Sequence, residues 1–230
     1  KTFGKHSINA LIGVTSEETK GLGHNGGARA MPSPDILILG STQDDASKVV
    51  GSSVSRSSMF SLLGRVNYSY KSKYLLAASL RADGSSVLAK GHKWGYFPSV
   101  AVAWRVSDEN FMESTRDWLD NLKLRASWGS TGNAGISAYQ TLPMVNADNQ
   151  IYYEFGSGVT TGRIPTTLGN ENLTWETTTS YNFGVDFGFW GNRIYGSADF
   201  YINKTKDLLY AQSLPLSSVY SHVLSNIGKT

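Results

Sequence analysis

The stretch Gly64–Ser86, GRVNYSYKSKYLLAASLRADGSS, alternates between two kinds of residue. Tyr74, Leu76, Ala78, Leu80 and Ala82 fall on one parity, and Leu75, Ala77, Ser79, Arg81 and Asp83 on the other. Successive side chains of a strand point to opposite faces, so one face is apolar and the other turns charged towards one end. Six further segments alternate in the same way, centred on residues 8–14, 60–69, 99–106, 122–128, 181–189 and 194–203. With their flanks, several approach or exceed the roughly 9–11 residues of a tilted membrane strand, against about 5–6 in ordinary strands.

The connections between these segments are unequal. Tight turns are expected at Lys71-Ser72-Lys73 and Gly191-Asn192. Longer links are expected at Lys20–Ser55, after Gly84, at Ser107–Asn121, at Gly129–Leu173 and at Lys204–Ser225. Within Ser107–Asn121, ENFMESTRDWLD suits a short helix. Short turns on one side and long loops on the other are the habit of an up-and-down outer-membrane barrel. Tyr70 and Tyr74 flank one tight turn, and Phe189, Trp190 and Tyr195 flank the other, so these five are candidates for an aromatic girdle at the membrane surface.

Composition narrows the field. Hydrophobic residues make up 40% and charged residues 17%, both below soluble norms of about 45–50% and 25%. With 24 Gly against 6 Pro and 12% aromatics, the chain is built for strands and turns. A net charge of +3 without a dense basic patch argues against a nucleic-acid partner. The absence of Cys excludes disulfides and thiolate metal sites. No run reaches the ~18 apolar residues of a membrane helix.

Nothing here points to catalysis or a bound cofactor. The four His are scattered, without metal-ligand spacing, and no nucleophile elbow occurs. NIGKT at Asn226–Thr230 resembles the end of a phosphate loop, but Val223 stands where that loop requires Gly. The opening KTFGKHSINALIG lacks the order of a signal peptide and LSNIGKT ends in mid-element, so a piece of a larger protein is expected.

The fold class expected is all-β: an antiparallel up-and-down transmembrane β-barrel segment of about 7–8 strands, belonging to a larger barrel. The apolar parity then meets lipid. Arg65, Arg81, Asp83, Arg105, Lys123, Arg125, Asp186 and Asp199, on the other parity, face the lumen, where they pair with each other and with a plug. Facing lipid at mid-depth, each Arg or Lys would cost about 2–4 kcal/mol. Trp94, Tyr152, Tyr153, Phe155 and Trp175 are candidates for gripping a ligand in the loops, with loop packing as the competing use of their rings. A soluble all-β carbohydrate-binding or structural module is the alternative, and it requires the apolar parity to pack on a second sheet.

LLGRVNYSYKSKYLLAASLRADGSS, KWGYFPSVAVAWRVSDENFM and WLDNLKLRASWGSTGN, followed by NLTWETTTSYNFGVDFGF and NRIYGSADFYINKTKDLLY, resemble SusC/RagA-type TonB-dependent outer-membrane transporters. The resemblance runs over nearly the whole chain and is weakest at residues 20–55 and 134–167. It implies that residues 1–230 are part of a 22-stranded barrel, without the plug domain and signal peptide. It also implies a Gram-negative outer-membrane location, energy through TonB contacted by the missing N-terminal part, a SusD-like surface lipoprotein, and oligosaccharide or peptide cargo.

Overall fold

The computed structural model describes the chain except for residues 29–32, 34, 36, 37, 39, 40, 43–47, 157, 216 and 230, and except for the side chains of 146–152, 155, 161 and 229. Its strands are β1 (Thr2–Phe3), β2 (His6–Gly27), β3 (Val49–Tyr70), β4 (Tyr74–Ser85), β5 (Trp94–Arg105), β6 (Leu119–Asn133), β7 (Met144–Phe155), β8 (Gly158–Thr167), β9 (Glu176–Phe189), β10 (Ile194–Ser213) and β11 (His222–Lys229). Nine of them form one sheet in the order β1-β2-β3-β4-β5-β6-β9-β10-β11, while β7 and β8 pair only with each other. In the large sheet, among the described residues, the ladders β1–β2, β3–β4, β4–β5, β5–β6, β6–β9, β9–β10 and β10–β11 are antiparallel. All seven alternating segments are therefore strands, joined by hairpin connections.

The strands are longer than their apolar alternation. β2 runs on to Gly27 and β3 begins at Val49, inside the expected polar link. The expected long loop after β6 holds the β7–β8 hairpin, and β10 continues to Ser213. These extensions do not alternate: apolar residues such as Leu22, Val49, Val50, Leu208 and Leu209 fall in them on both parities. Backbone pairing continues there, but no apolar stripe marks it. The helical expectation is met only by 3₁₀ turns at Val106–Asp108 and Asn110–Thr115.

The chain divides into two compact units, Lys1–Ser16 with Met59–Thr230, and Glu17–Ser58. In the second, Arg56 Nε lies 2.5 Å from Glu18 Oε1. The tight turns, the buried core and the charged groups lie in the first.

Hairpin geometry gives that unit two distinct ends. At the turn end, Lys71 and Ser72 have φ of 50° and 57°. This matches the paired left-handed residues of a type I′ hairpin turn. Trp190, Gly191 and Asn192 are likewise left-handed, at 51°, 67° and 56°. The segment between β5 and β6 gathers this end together. Glu109 accepts hydrogen bonds from Tyr74 Oη at 2.7 Å and Trp104 Nε1 at 3.1 Å, and its other oxygen accepts one from Lys73 Nζ at 3.1 Å. Three neighbouring segments thus converge on one carboxylate. The hydrogen bonds from Tyr74 and then Trp104, with Lys73 behind them, hold its pKa at about 2 instead of the ordinary 4.5. Asp120 accepts from the backbone N–H of Asn192 at 2.9 Å, and Trp190 N–H donates to the Trp118 carbonyl at 2.9 Å.

At the loop end lies the small buried core: Val87, Leu88, Phe97, Leu173 and Trp175, with Met59, Ile136 and Leu224 packed against it. Phe97 meets Trp175 edge-on, with centroids 5.4 Å apart, and Trp175 Nε1 donates to the Lys93 carbonyl at 3.1 Å. Phe97 fits because Gly95 and Gly132 lack side chains: a β-carbon at either would collide with its ring.

Two outcomes follow from these ends. Gly132→Ala overpacks the core and lowers unfolding stability by about 1–3 kcal/mol, and adding Phe97→Leu recovers part of the loss; urea unfolding of the two variants checks this. Because Glu109 is held ionised, its contribution is complete above pH 4.5 and fades as pH falls towards about 2. Thermal unfolding of Glu109→Gln therefore loses less stability than the parent chain over that interval.

Candidate functional site

The register sorts every side chain of the sheet onto one of two faces. One row reads Val66, Ala78, Val100, Trp128, Tyr181 and Ile202 across six strands. Two residues further towards the turns it reads Tyr68, Leu76, Val102, Ala126, Phe183 and Phe200. The row between them belongs to the other face: Asn67, Ala77, Ala101, Ser127, Asn182 and Tyr201. The antiparallel register therefore joins each strand's apolar parity to its neighbour's, giving one continuous apolar face. That face is bare, with Leu80 52%, Val102 48%, Phe183 55% and Phe200 63% exposed. The buried core lies on the opposite face with Phe97, so the apolar parity is not what it covers.

All eight charged candidates lie on the polar face, and the structure brings six into two groups. Arg81 Nε donates to Asp83 at 2.7 Å, and its guanidinium also donates to Ser61 Oγ at 3.1 Å. Asp83 and Ser61 are both buried. Towards the turn end, Arg125 lies 2.7 Å from Asp186 and 3.2 Å from Asp199, and Lys123 reaches Asp186 at 3.6 Å. Register explains this second group. Lys123 stands opposite Asp186, while Arg125 and Asp199 flank Gly184 from either side. The bare backbone of Gly184 lets the guanidinium lie across it, and a β-carbon there would meet both Arg125 and Asp199. Arg65 donates to Asn67 at 3.1 Å. Arg105 stands opposite Lys123 and has no ion pair among the described residues.

Aromatic rings border the apolar face at both ends. Tyr70 stacks on Tyr74 at 6.3 Å, Tyr74 on Trp104 at 6.4 Å, and Trp118 on Phe189 at 5.9 Å. Phe189 also touches Trp190 at 5.8 Å. Tyr70, Tyr74 and Trp104 share a register row that crosses β9 at Val185, four residues before Phe189 and four strands from β3. Four residues of about 3.3 Å against four strand spacings of about 4.8 Å slant this border by roughly 35°. A barrel strand tilted by about 35–45° gives that slant when the border is level. At the loop end Phe60 meets Trp94 edge-on at 6.3 Å, beside an exposed Tyr96. Trp94 and Trp104 are ten residues apart on β5. That is about 33 Å of strand, or about 25 Å of height at such a tilt, the height of an outer-membrane apolar band.

Four sequence expectations need correction. Trp94 is a strand residue on the apolar face, so it borders that face and does not line a loop. Trp175 is buried in the loop-end core, with its N–H occupied. Tyr195 stands opposite Gly188, on the polar face, because flanking the turn does not fix parity. The expected link Ser107–Asn121 is a shorter connection with two 3₁₀ turns, ending where β6 begins at Leu119, and it sits at the turn end. Tyr153 is exposed on β7, whereas the side chains of Tyr152 and Phe155 lie outside the described residues. The sequence reading missed the border roles of Trp104, Phe111 and Trp118 and the carboxylate hub Glu109. Trp104 had the right parity signal; the others sit in a connection, where parity is silent. No group of three or more His, Asp or Glu that could hold a metal occurs among the described residues.

A family model described as TonB dependent receptor-like, beta-barrel matches residues 4–230. The chain is 34% identical over 229 residues to TonB-dependent receptor P3 of Formosa agariphila, covering all of this chain and 22% of that protein. It is 41% identical over 177 residues to TonB-dependent receptor SusC of Bacteroides thetaiotaomicron, covering 75% of this chain and 17% of that one. The solved RagAB peptide importer in its closed-closed state matches with a TM-score of 0.85 at 26% identity, over all of this chain and 25% of that one. The chain thus spans about a fifth of the length of the curated relatives it matches. Its bare apolar face, paired polar face and uninterrupted antiparallel order are those of a wall, and the chain belongs to the TonB-dependent receptor β-barrel family, as a SusC/RagA-type member.

Proposed function

We propose that the chain is a section of the barrel wall of a TonB-dependent outer-membrane importer for large nutrients, oligosaccharides or peptides. The observation that carries this is the bare apolar face, bordered by aromatic rows about 25 Å apart. Between those rows charged residues are absent from that face, and six of the eight charged candidates on the other are paired. The apolar face meets outer-membrane lipid. The polar face lines the lumen and faces the rest of the barrel and its plug. RagAB, a peptide importer among the similar structures, supports peptide cargo, and the likeness to SusC/RagA-type transporters favours oligosaccharide as the other class and a SusD-like lipoprotein partner at the surface. TonB would act through the plug-bearing part, and no step of the work requires catalysis.

Within this reading the two charge groups have separate duties. Lys123, Arg125, Asp186 and Asp199 compensate one another across three strands and hold the wall. Arg105 is left for a carboxylate contributed from outside the chain, such as the plug. The soluble-module alternative needs a second sheet on the apolar face, and Val102 and Phe183 are exposed there instead.

Two measurements test the proposal. Inactivating the gene that encodes the chain abolishes growth of the source cell on one oligosaccharide or peptide class, and loss of TonB gives the same defect; unimpaired growth in both would contradict it. Val102→Arg, which puts a cation on the apolar face, costs about 2–4 kcal/mol and cuts the protein recovered in outer membranes. Ser127→Arg, on the polar face of the next strand, leaves recovery near normal. Equal recovery of the two would argue against a lipid-facing side.

A further inference from the structure

The connection between β5 and β6 carries large apolar side chains that no core covers. Phe111 is 65% and Trp118 45% exposed. Both meet rings of the apolar face of the sheet. Phe111 meets Trp104 edge-on at 6.4 Å, and Trp118 lies flat on Phe189 at 5.9 Å. The two ends of the segment therefore rest on the turn-end aromatic border, one at β5 and the other at β9. Its intervening polar groups include Glu113 and Arg116, which pair at 3.5 Å and are both exposed. Polar atoms that would otherwise seek water at this level are already engaged, since Glu109 takes the Tyr74 hydroxyl and the Trp104 N–H.

We propose that this connection is an interfacial anchor, with Phe111 and Trp118 seated at the headgroup–acyl boundary of the leaflet on the turn side. The proposal rests on the wall reading above. Lipid is the occupant because the two rings continue, without a break, the border of the face assigned to lipid, and because the segment mixes aromatic rings with charged groups. Aromatic rings with a polar surround favour the headgroup level. A watery turn would have no use for two exposed rings lying outwards on the sheet. The segment would thus fix the depth of the wall: the rings resist withdrawal from the leaflet, while Glu113, Arg116 and Asp117 resist deeper entry.

The chain has no cysteine of its own to interfere with spin labelling. The test uses the full-length receptor, free of other cysteines, in phosphatidylethanolamine–phosphatidylglycerol vesicles. Nitroxide labels are placed singly at Phe111→Cys, at Val102→Cys on the apolar face and at Ser127→Cys on the polar face. Relaxation by oxygen, which partitions into lipid, is compared with relaxation by a water-soluble nickel chelate. The expected oxygen-to-nickel ratio is highest at 102, lowest at 127, and at 111 severalfold above 127 yet below 102. A water-like ratio at 111 with a lipid-like one at 102 would overturn the anchor and leave the wall standing. A label at 111 shielded from both reagents would mean that protein covers the segment, and would also overturn it. A water-like ratio at 102 would remove the wall reading and the anchor with it.

Discussion

Backbone pairing in the absence of water is the constraint from which the rest of this structure follows. In hydrocarbon an unpaired N–H or C=O costs several kcal/mol, so a chain that crosses with strands must pair each with its neighbours. Long antiparallel strands meet that demand. Their register then carries parity from β3 to β10 without a slip, as the unbroken row from Tyr68 to Phe200 shows. Between β6 and β9 the register shifts at Leu119/Asn121, at the turn end. One register decision therefore fixes both faces: where lipid would be met, and where Lys123, Arg125, Asp186 and Asp199 come together.

The two ends close the structure by different means. The turn end is short and aromatic, and Glu109 ties its polar atoms together. Rings stack along it, and the tight turns place two residues in left-handed geometry at Lys71 and Ser72. The loop end builds a small core on the polar face, where Phe97 fills the room left by Gly95 and Gly132. In the proposed importer this asymmetry would have a use. The wall would be held at a fixed depth on one side, while the loops on the other would be free to carry a variable surface. The apolar face contributes little to packing within the chain; its burial comes from what surrounds it.

Much of this was legible in the alternation. The seven segments, both tight turns and the shared face of the eight charged residues follow from period-two patterning, which lipid on one side and polar surroundings on the other make unusually clean. What alternation cannot reach is wherever the two parities do not differ or the chain leaves the strand. β2 beyond residue 20 and β10 beyond residue 203 lack an apolar stripe, although their pairing continues. Tyr195 looked like a border residue because it sits beside a turn, yet register turned it to the polar face. Trp175 was a loop ring with two possible uses, ligand or packing, and packing takes it: Phe97 and the Lys93 carbonyl, distant in sequence, claim it. Glu109 gave no signal at all, since its value depends on three donors that only folding assembles.

The most direct test of the central claim reads the two faces at once. Carbene labelling of the full-length protein in vesicles, with a lipid-soluble and a water-soluble diazirine in parallel, is read residue by residue along Tyr74–Ala82 by mass spectrometry. The account predicts that Tyr74, Leu76, Ala78 and Leu80 take the lipid-soluble label while Ser79 and Arg81 take the water-soluble one or neither. Uniform labelling along the strand, or the opposite parity in lipid, would contradict it.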